Sequence, residues 1–276
     1  MNTMSEAFFH GYLTFIVFAF GACWGSFLNV CIWRLPREES VIHPRSHCPK
    51  CNNLIAWFDN IPLVSYLVLN ARCRHCGTHI SARYFVVELL TAMLFTLIWL
   101  KYGISLLTPI YWLLAFGLLM GSFIDCDHLI IPDRVTYGAC LAGVLLSPLV
   151  PALHDQYTAW TGFRSALIGL VVGGGLLFVV SVIGRLIFRK DAMGLGDVKL
   201  LAGLGAMLGW QAVLFIVMIA SFLGSFIGLY MIIIRGRRWR SRIPFGPYLA
   251  IAAGLWVLGG KELWLTYLRW LAGGIY

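Results

Sequence analysis

Charge is what this chain has least of. Of its 276 residues, 12% are Asp, Glu, Lys or Arg, and only 12 residues are acidic. An ordinary soluble domain carries roughly 25% charged and about 45–50% apolar residues. Here 60% are hydrophobic and the mean hydropathy is +0.82, which excludes the all-soluble, disordered, collagenous and disulfide-scaffold classes. The sequence also has no internal repeat, no low-complexity tract and no glycine-rich G-x-G-x-x-G fingerprint following a strand. No basic leader precedes the first apolar stretch, which is too long for a signal-peptide core, so it is expected to be a retained span.

What the chain does have is long uncharged runs, and a bilayer crossing needs about 20 residues. Ala7–Trp33, Leu106–Ile124, Val135–Leu153, Ser165–Gly184 and Ile243–Gly260 meet or approach that length, and Tyr84–Leu100 does so with Glu88 inside it. Leu200–Ile234 is an uncharged run of 35 residues. As one helix it would reach roughly 50 Å, against a hydrocarbon core of about 30 Å. A short helix to Leu208, a turn at Gly209-Trp210-Gln211 and a second helix to Ile234 fit better. The expected fold is an all-α polytopic membrane protein of about eight transmembrane helices with one small cytoplasmic zinc-binding loop domain.

Basic residues collect in cytoplasmic loops. With eight spans, 17 of the 21 Lys and Arg fall on one side, in 34–83, at Arg134, in 185–199 and in 235–242. Lys101, Arg164, Lys261 and Arg269 fall on the other. Both termini are therefore expected outside the cytoplasm. The net charge of +9 is accounted for by topology and contact with anionic membrane lipids, and needs no nucleic acid.

The loop 34–83 carries Cys48-Pro49-Lys50-Cys51 and Cys73-Arg74-His75-Cys76. Two C-x-x-C turns offer four thiolates, the donor set of a closed tetrahedral zinc site, with no open position for a catalytic water. A structural zinc on Cys48, Cys51, Cys73 and Cys76 is expected, standing in for a core in a loop read as poor in apolar residues. A redox dithiol pair fits a reducing compartment less well. His75 and His79 read as solvent-facing, and Cys23, Cys31, Cys126 and Cys140 as small packing residues.

Asp125, Asp127, Asp133 and Asp197 lie at expected ends of spans, where a carboxylate is costly. Two aspartates brought together can share a proton, one acting as base on a water and the other polarising a carbonyl. Asp125 closes an uncharged run and Asp197 opens another through Gly194-Leu195-Gly196-Asp197, so these two are the candidate pair. Asp197 taken alone reads equally as a helix cap, Asp133 reads first as a cap, Asp127 as a supporting group and Lys199 as a snorkelling cation. A proton- or cation-coupled secondary transporter is the rival reading of the same aspartates. Against it stand the lack of inverted hydropathy repeats and the position of both residues at cytoplasmic ends instead of the midplane.

Several segments in order, GSFLNVCIWRLP (25–36), the paired C-x-x-C loop, SARYFVVELLT (81–91), IDCDHLIIPD (124–133), GLGDVK (194–199) and IPFGPYLA (243–250), resemble the type IV prepilin peptidases, a GxGD aspartic protease family. That resemblance implies Asp125 and Asp197 as the catalytic aspartates and the four cysteines as the zinc knuckles of the longer, bifunctional form. It implies an enzyme of the bacterial inner membrane that cuts a basic leader from type IV prepilins or type II secretion pseudopilins on the cytoplasmic side. It further implies N-methylation of the new N-terminus with S-adenosylmethionine. The organisation expected is a first transmembrane segment over 1–33, the cysteine loop over 34–83 joined with 84–101 as the methyltransferase region, and a transmembrane peptidase domain over 102–276. Within the methyltransferase region Glu88 is a functional candidate by its cost in the membrane, with a cation such as Arg83 as the competing explanation, while Asn29, Gly25 and Ser26 read as helix-packing residues.

Overall fold

The computed structural model describes residues 3–188, 194–235 and 244–271. Arg189–Met193 and the basic stretch 236–243, both singled out in the sequence, lie outside the described residues. Among those described there is no β-strand beyond two isolated bridges, His47 to Leu54 and Arg72 to His79.

The chain divides into two compact units, residues 1–120 and 121–276. The first holds α1 (Thr3–Arg34), the cysteine loop with the short α2 (Val64–Val68), α3 (Ala82–Tyr102) and the first part of α4 (Leu107–His128). Small residues let α1 and α3 approach closely: a Cβ on Gly25 would stand 2.6 Å from the Cα of Glu88, and one on Gly21 2.8 Å from that of Ala92. Backbone-to-backbone contact of this kind is how helices associate where lipid removes the hydrophobic driving force. Trp112 lies parallel on Phe95 at 5.1 Å and donates its indole N–H to the Phe95 carbonyl at 2.9 Å, so the one polar atom of the ring is satisfied. At the foot of α1, the buried Arg34 guanidinium donates to the carbonyls of Ser40 and Pro44 and so fixes how the loop leaves the helix.

The second unit holds the end of α4, α5 (Asp133–Leu149), α6 (Ala159–Phe188), α7 (Leu195–Leu208), α8 (Trp210–Arg235), α9 (Gly246–Leu255) and α10 (Lys261–Leu271), the last two joined by a π-helical turn, Trp256–Gly260. The helix α7 is its centre, with Leu201, Leu204 and Ala206 fully buried. Gly169 of α6 and Gly205 of α7 meet at a crossing where a Cβ on either would collide with the other's carbonyl, and Gly173 meets Leu201 in the same way. Of the triplet Gly173-Gly174-Gly175, the first is thus the one that close packing requires.

The long uncharged run breaks where expected. The helix α7 stops at Leu208, Gly209 takes φ +86°, and α8 starts at Trp210. A residue with a Cβ is strained at that φ, so the turn selects glycine. Six helical segments among the described residues are long and apolar enough to cross a membrane: Phe8–Arg37, Ala82–Tyr102, Leu107–His128, Ala159–Ile187, Trp210–Ile234 and Gly246–Leu271. The other two expected spans correspond to α5, 17 residues, and α7, 14 residues. At about 1.5 Å per residue α7 covers only about 21 Å.

Candidate functional site

Asp125 lies in the last turn of α4 and Asp197 in the first turn of α7, both within the second unit. Asp125 is 5% exposed and accepts a hydrogen bond through Oδ2 from the backbone N–H of Gly246 at 3.0 Å. Gly246 opens α9, so that N–H has no partner within its own helix, and the carboxylate sits where the helix dipole favours a negative charge. Asp197 also occupies a helix N-terminus. Its carboxylate lies against the backbone of Gly194, where a Cβ would stand 3.3 Å from Oδ2, and among the described residues its buried Oδ1 has no hydrogen-bond partner. The two carboxylates stand within electrostatic range of each other.

One side chain ties these parts together. A Cβ on Gly196 would meet Cβ of Ile131 at 3.2 Å, and a Cβ on Gly246 would meet Cδ1 of the same residue at 3.2 Å. The buried Ile131 is therefore the wedge against which the glycines flanking both aspartates are seated. Its placement follows from Leu129, whose positive φ of 56° turns the chain sharply after α4. The sequence offered the Ile131-Pro132 step as a landmark for Asp125 and the Ile243–Pro247 turn as a shaper of substrate entry, but neither the wedging by Ile131 nor the Gly246 amide as a partner of Asp125. The signal for both residues was membership of the IDCDHLIIPD and IPFGPYLA segments.

The remaining aspartates separate from the pair. Asp133 occupies the first turn of α5 without capping it and instead accepts from Lys199 at 2.7 Å, which corrects the reading of Asp133 as a cap and gives Lys199 a defined partner. Asp127 is exposed.

In the first unit the Sγ atoms of Cys48, Cys51, Cys73 and Cys76 lie within 4.8 Å of one another, with Cys48 and Cys76 at 3.8 Å. Zinc–sulfur bonds of about 2.3 Å at tetrahedral angles put sulfurs about 3.8 Å apart, so the cluster fits that metal. The two knuckles repeat one backbone pattern. Cys48 N–H donates to Asn53 O and Asn52 N–H to Cys48 O, while Cys73 N–H donates to Thr78 O and Gly77 N–H to Cys73 O. The equivalent turn residues, Asn52 and Gly77, have φ of 56° and 66°. Backbone amides of Cys51 and Lys50 pull the Cys48 thiol down, to about 6, so it forms a thiolate ligand readily. His75 and His79 are exposed, as read from sequence.

The loop is not poor in apolar side chains, a correction to the sequence reading: it carries Leu54, Trp57, Phe58, Ile61, Val64, Leu67 and Val68, all exposed. Glu88 faces it. Its Oε2 accepts from the backbone N–H of Leu63 at 2.8 Å, so the partner it takes is a backbone amide of the loop. Asn29 donates to the Tyr84 carbonyl at 3.0 Å, linking α1 to the start of α3.

Residues 19–102 match the Bacterial Peptidase A24 N-terminal domain and residues 112–229 the Type IV leader peptidase family. Among similar proteins, a "Prepilin leader peptidase/N-methyltransferase" of Aeromonas hydrophila is 37% identical over 277 residues, covering 92% of this chain and 93% of its own. One of that name from Pseudomonas aeruginosa is 35% identical over 270 residues, covering 89% and 90%. One from Myxococcus xanthus is 40% identical over 232 residues, covering 80% of this chain; the chain spans 64% of that relative's length. No solved structure matches.

Proposed function

Because the chain belongs to the Type IV leader peptidase family, we propose that it is a bifunctional membrane enzyme, a prepilin leader peptidase and N-methyltransferase, with Asp125 and Asp197 as its peptidase dyad. The single observation that carries the assignment of the dyad is the pairing of two carboxylates at the ends of α4 and α7, one held by the Gly246 amide and the other with a buried oxygen that has no hydrogen-bond partner among the described residues.

In this reading one aspartate is ionised and the other protonated. The ionised carboxylate takes a proton from a water, whose oxygen attacks the scissile carbonyl carbon, while the protonated partner donates its hydrogen to the carbonyl oxygen. Collapse of the tetrahedral adduct breaks the C–N bond, and the amine leaves with a proton returned by the dyad. The Gly246 hydrogen bond persists through the cycle and keeps Asp125 in place. Substrates are type IV prepilins or pseudopilins, whose hydrophobic helix approaches laterally between spans with the leader junction at the dyad. The transporter reading has no support among the relatives.

Zinc on Cys48, Cys51, Cys73 and Cys76 is structural, since four thiolates fill the tetrahedron. S-adenosylmethionine supplies the methyl group. Among the described residues there is no strand, hence no strand-to-helix glycine turn of the dinucleotide-binding kind to hold that donor, and its site follows another design. The regions 34–101 and 102–276 serve the methyltransferase and peptidase activities respectively. In the bacterial inner membrane, α5 and α7 complete eight crossings, the loop and dyad face the cytoplasm, and both termini lie outside it. A cleavage assay on purified protein with a prepilin tests the dyad: wild type cuts, and Asp125→Asn and Asp197→Asn, each folded, do not. Cleavage that survives either substitution overturns it.

A further inference from the structure

The middle of the cysteine loop has the chemistry of a membrane surface element. From Asn52 to Ala71 the chain holds 20 residues with a single charge, Asp59. That charge is matched by Arg74, which donates to both carboxylate oxygens at 2.6–3.0 Å. Cations flank the stretch on both sides, Arg45 and Lys50 before it and Arg72 after it.

Its exposed residues form a face. Val64, Leu67 and Val68 of α2 are 52%, 64% and 69% exposed, at the i, i+3, i+4 spacing of one helical side, while Ser65 on the other side is buried. Trp57, 75% exposed, and Ile61 extend it. In water such a patch would be an association liability.

Two observations say what covers it. First, the backbone here needs little water. Ile61 N–H donates to Ser65 Oγ, whose hydroxyl donates to Phe58 O. The N–H groups of Ser65, Leu67, Leu69 and Ala71 find carbonyls within the segment, and Pro62 has no N–H to satisfy. Internal satisfaction of this kind is what hydrocarbon demands of irregular backbone. Second, the Leu63 N–H is bonded to Glu88, six residues into the membrane-spanning α3. At about 1.5 Å per residue that is about 9 Å along the helix from its start, so α2 lies beside the second turn of a span and not out in solvent. Leu63 takes a φ of 62° to make this contact.

We infer that residues 57–68 are an interfacial membrane element. Trp57, Ile61, Val64, Leu67 and Val68 seat in the headgroup–acyl boundary of the leaflet on the loop's side, and the flanking cations meet anionic headgroups. An exposed tryptophan and a short apolar helix face are what that boundary selects. The zinc knuckles would then hang from a segment anchored at both depth and angle, beside the membrane from which a substrate helix arrives.

The test uses the full chain in nanodiscs of phosphatidylethanolamine and phosphatidylglycerol, with a fluorescent amino acid incorporated at Leu67 and, as an aqueous reference, at His75. Lipids brominated near the top of the acyl chain are expected to quench the probe at 67 and not at 75, and aqueous iodide to quench 67 several-fold less than 75. Iodide quenching at 67 equal to that at 75, without bromolipid quenching, overturns the inference. So does protection from both quenchers, which would mean cover by a second copy or a substrate helix. Zinc content and prepilin cleavage are measured on the same samples, and a labelled chain that fails either is replaced by one labelled at Val64. Failure of the peptidase reading is thereby distinguished from failure of this one.

Discussion

Gly246 and Asp125, 121 residues apart in the chain, are joined by a hydrogen bond from a helix-opening amide to a buried carboxylate oxygen at 3.0 Å. The absence of a side chain at Gly246 is part of that relationship, because a Cβ there would stand 2.8 Å from the same oxygen. Gly246→Ala should therefore displace Asp125 without disturbing α9, which tolerates alanine well. A charge-assisted hydrogen bond is worth about 1.5–3 kcal/mol, so a fall in cleavage rate of about tenfold or more is expected, read from single-turnover cleavage with helicity unchanged by circular dichroism.

Removal of either carboxylate of the proposed dyad should be far more damaging. Asp125→Asn and Asp197→Asn are each expected to lower cleavage by at least about 10²–10⁴-fold, the range of general acid–base catalysis. Retained N-methylation of a pre-cleaved pilin would show that both proteins are folded.

Asp133→Asn separates the pair from its neighbour. Its partner Lys199 is partly exposed, and such ion pairs contribute about 0–1 kcal/mol. Cleavage by this variant should stay within about threefold of wild type; a loss as large as that of the dyad variants would place Asp133 among the catalytic groups.

One zinc per chain is expected by elemental analysis, and Cys76→Ser should reduce it. Bound zinc keeps its thiolates deprotonated, and protons compete for the same sulfurs, so affinity falls as pH falls. A zinc-release titration should accordingly show loss on acidification, and chelator should speed hydrogen exchange at the Asn52 and Gly77 amides, which close the two knuckles.

Glu88→Ala removes the acceptor for Leu63 N–H and leaves a strained residue without its restraint. An orphaned amide costs about 1–3 kcal/mol, so exchange across residues 61–69 should rise about tenfold or more. Glu88→Gln, which still offers a carbonyl oxygen, should restore most of that protection. Equal exchange in both variants would argue that the carboxylate charge, and not the hydrogen bond, holds the loop.

A pH effect is expected at the Asp59–Arg74 pair. Arg74 holds the Asp59 carboxyl below its ordinary range. The pair's contribution is therefore complete above the unfolded carboxylate value, about 4, and is lost as pH falls further through the depressed folded value. Emission from a fluorescent amino acid placed at Phe58 should show, below about pH 4, a change beyond any that tracks zinc release measured on the same sample, and Asp59→Asn should abolish that component.

What the sequence by itself determined was whatever is local in the chain. Uncharged runs marked the membrane helices, because the length of a crossing is a count of residues. Gly209 marked the break between α7 and α8, because one positive φ suffices to end a helix. The C-x-x-C spacing marked the four-cysteine cluster, because each turn presents two sulfurs unaided. Tertiary structure alone decided the rest: that an isoleucine wedges the glycines beside both aspartates, that Gly246 supplies the amide for Asp125, and that Glu88 receives a backbone amide from the loop instead of an arginine. These contacts join residues far apart in the chain through backbone groups, and a backbone amide is the same at every non-proline position, so no residue type announces it. The loop's apolar face was hidden for a related reason. Its residues are unremarkable one by one, and only the turn of α2 gathers them onto one side.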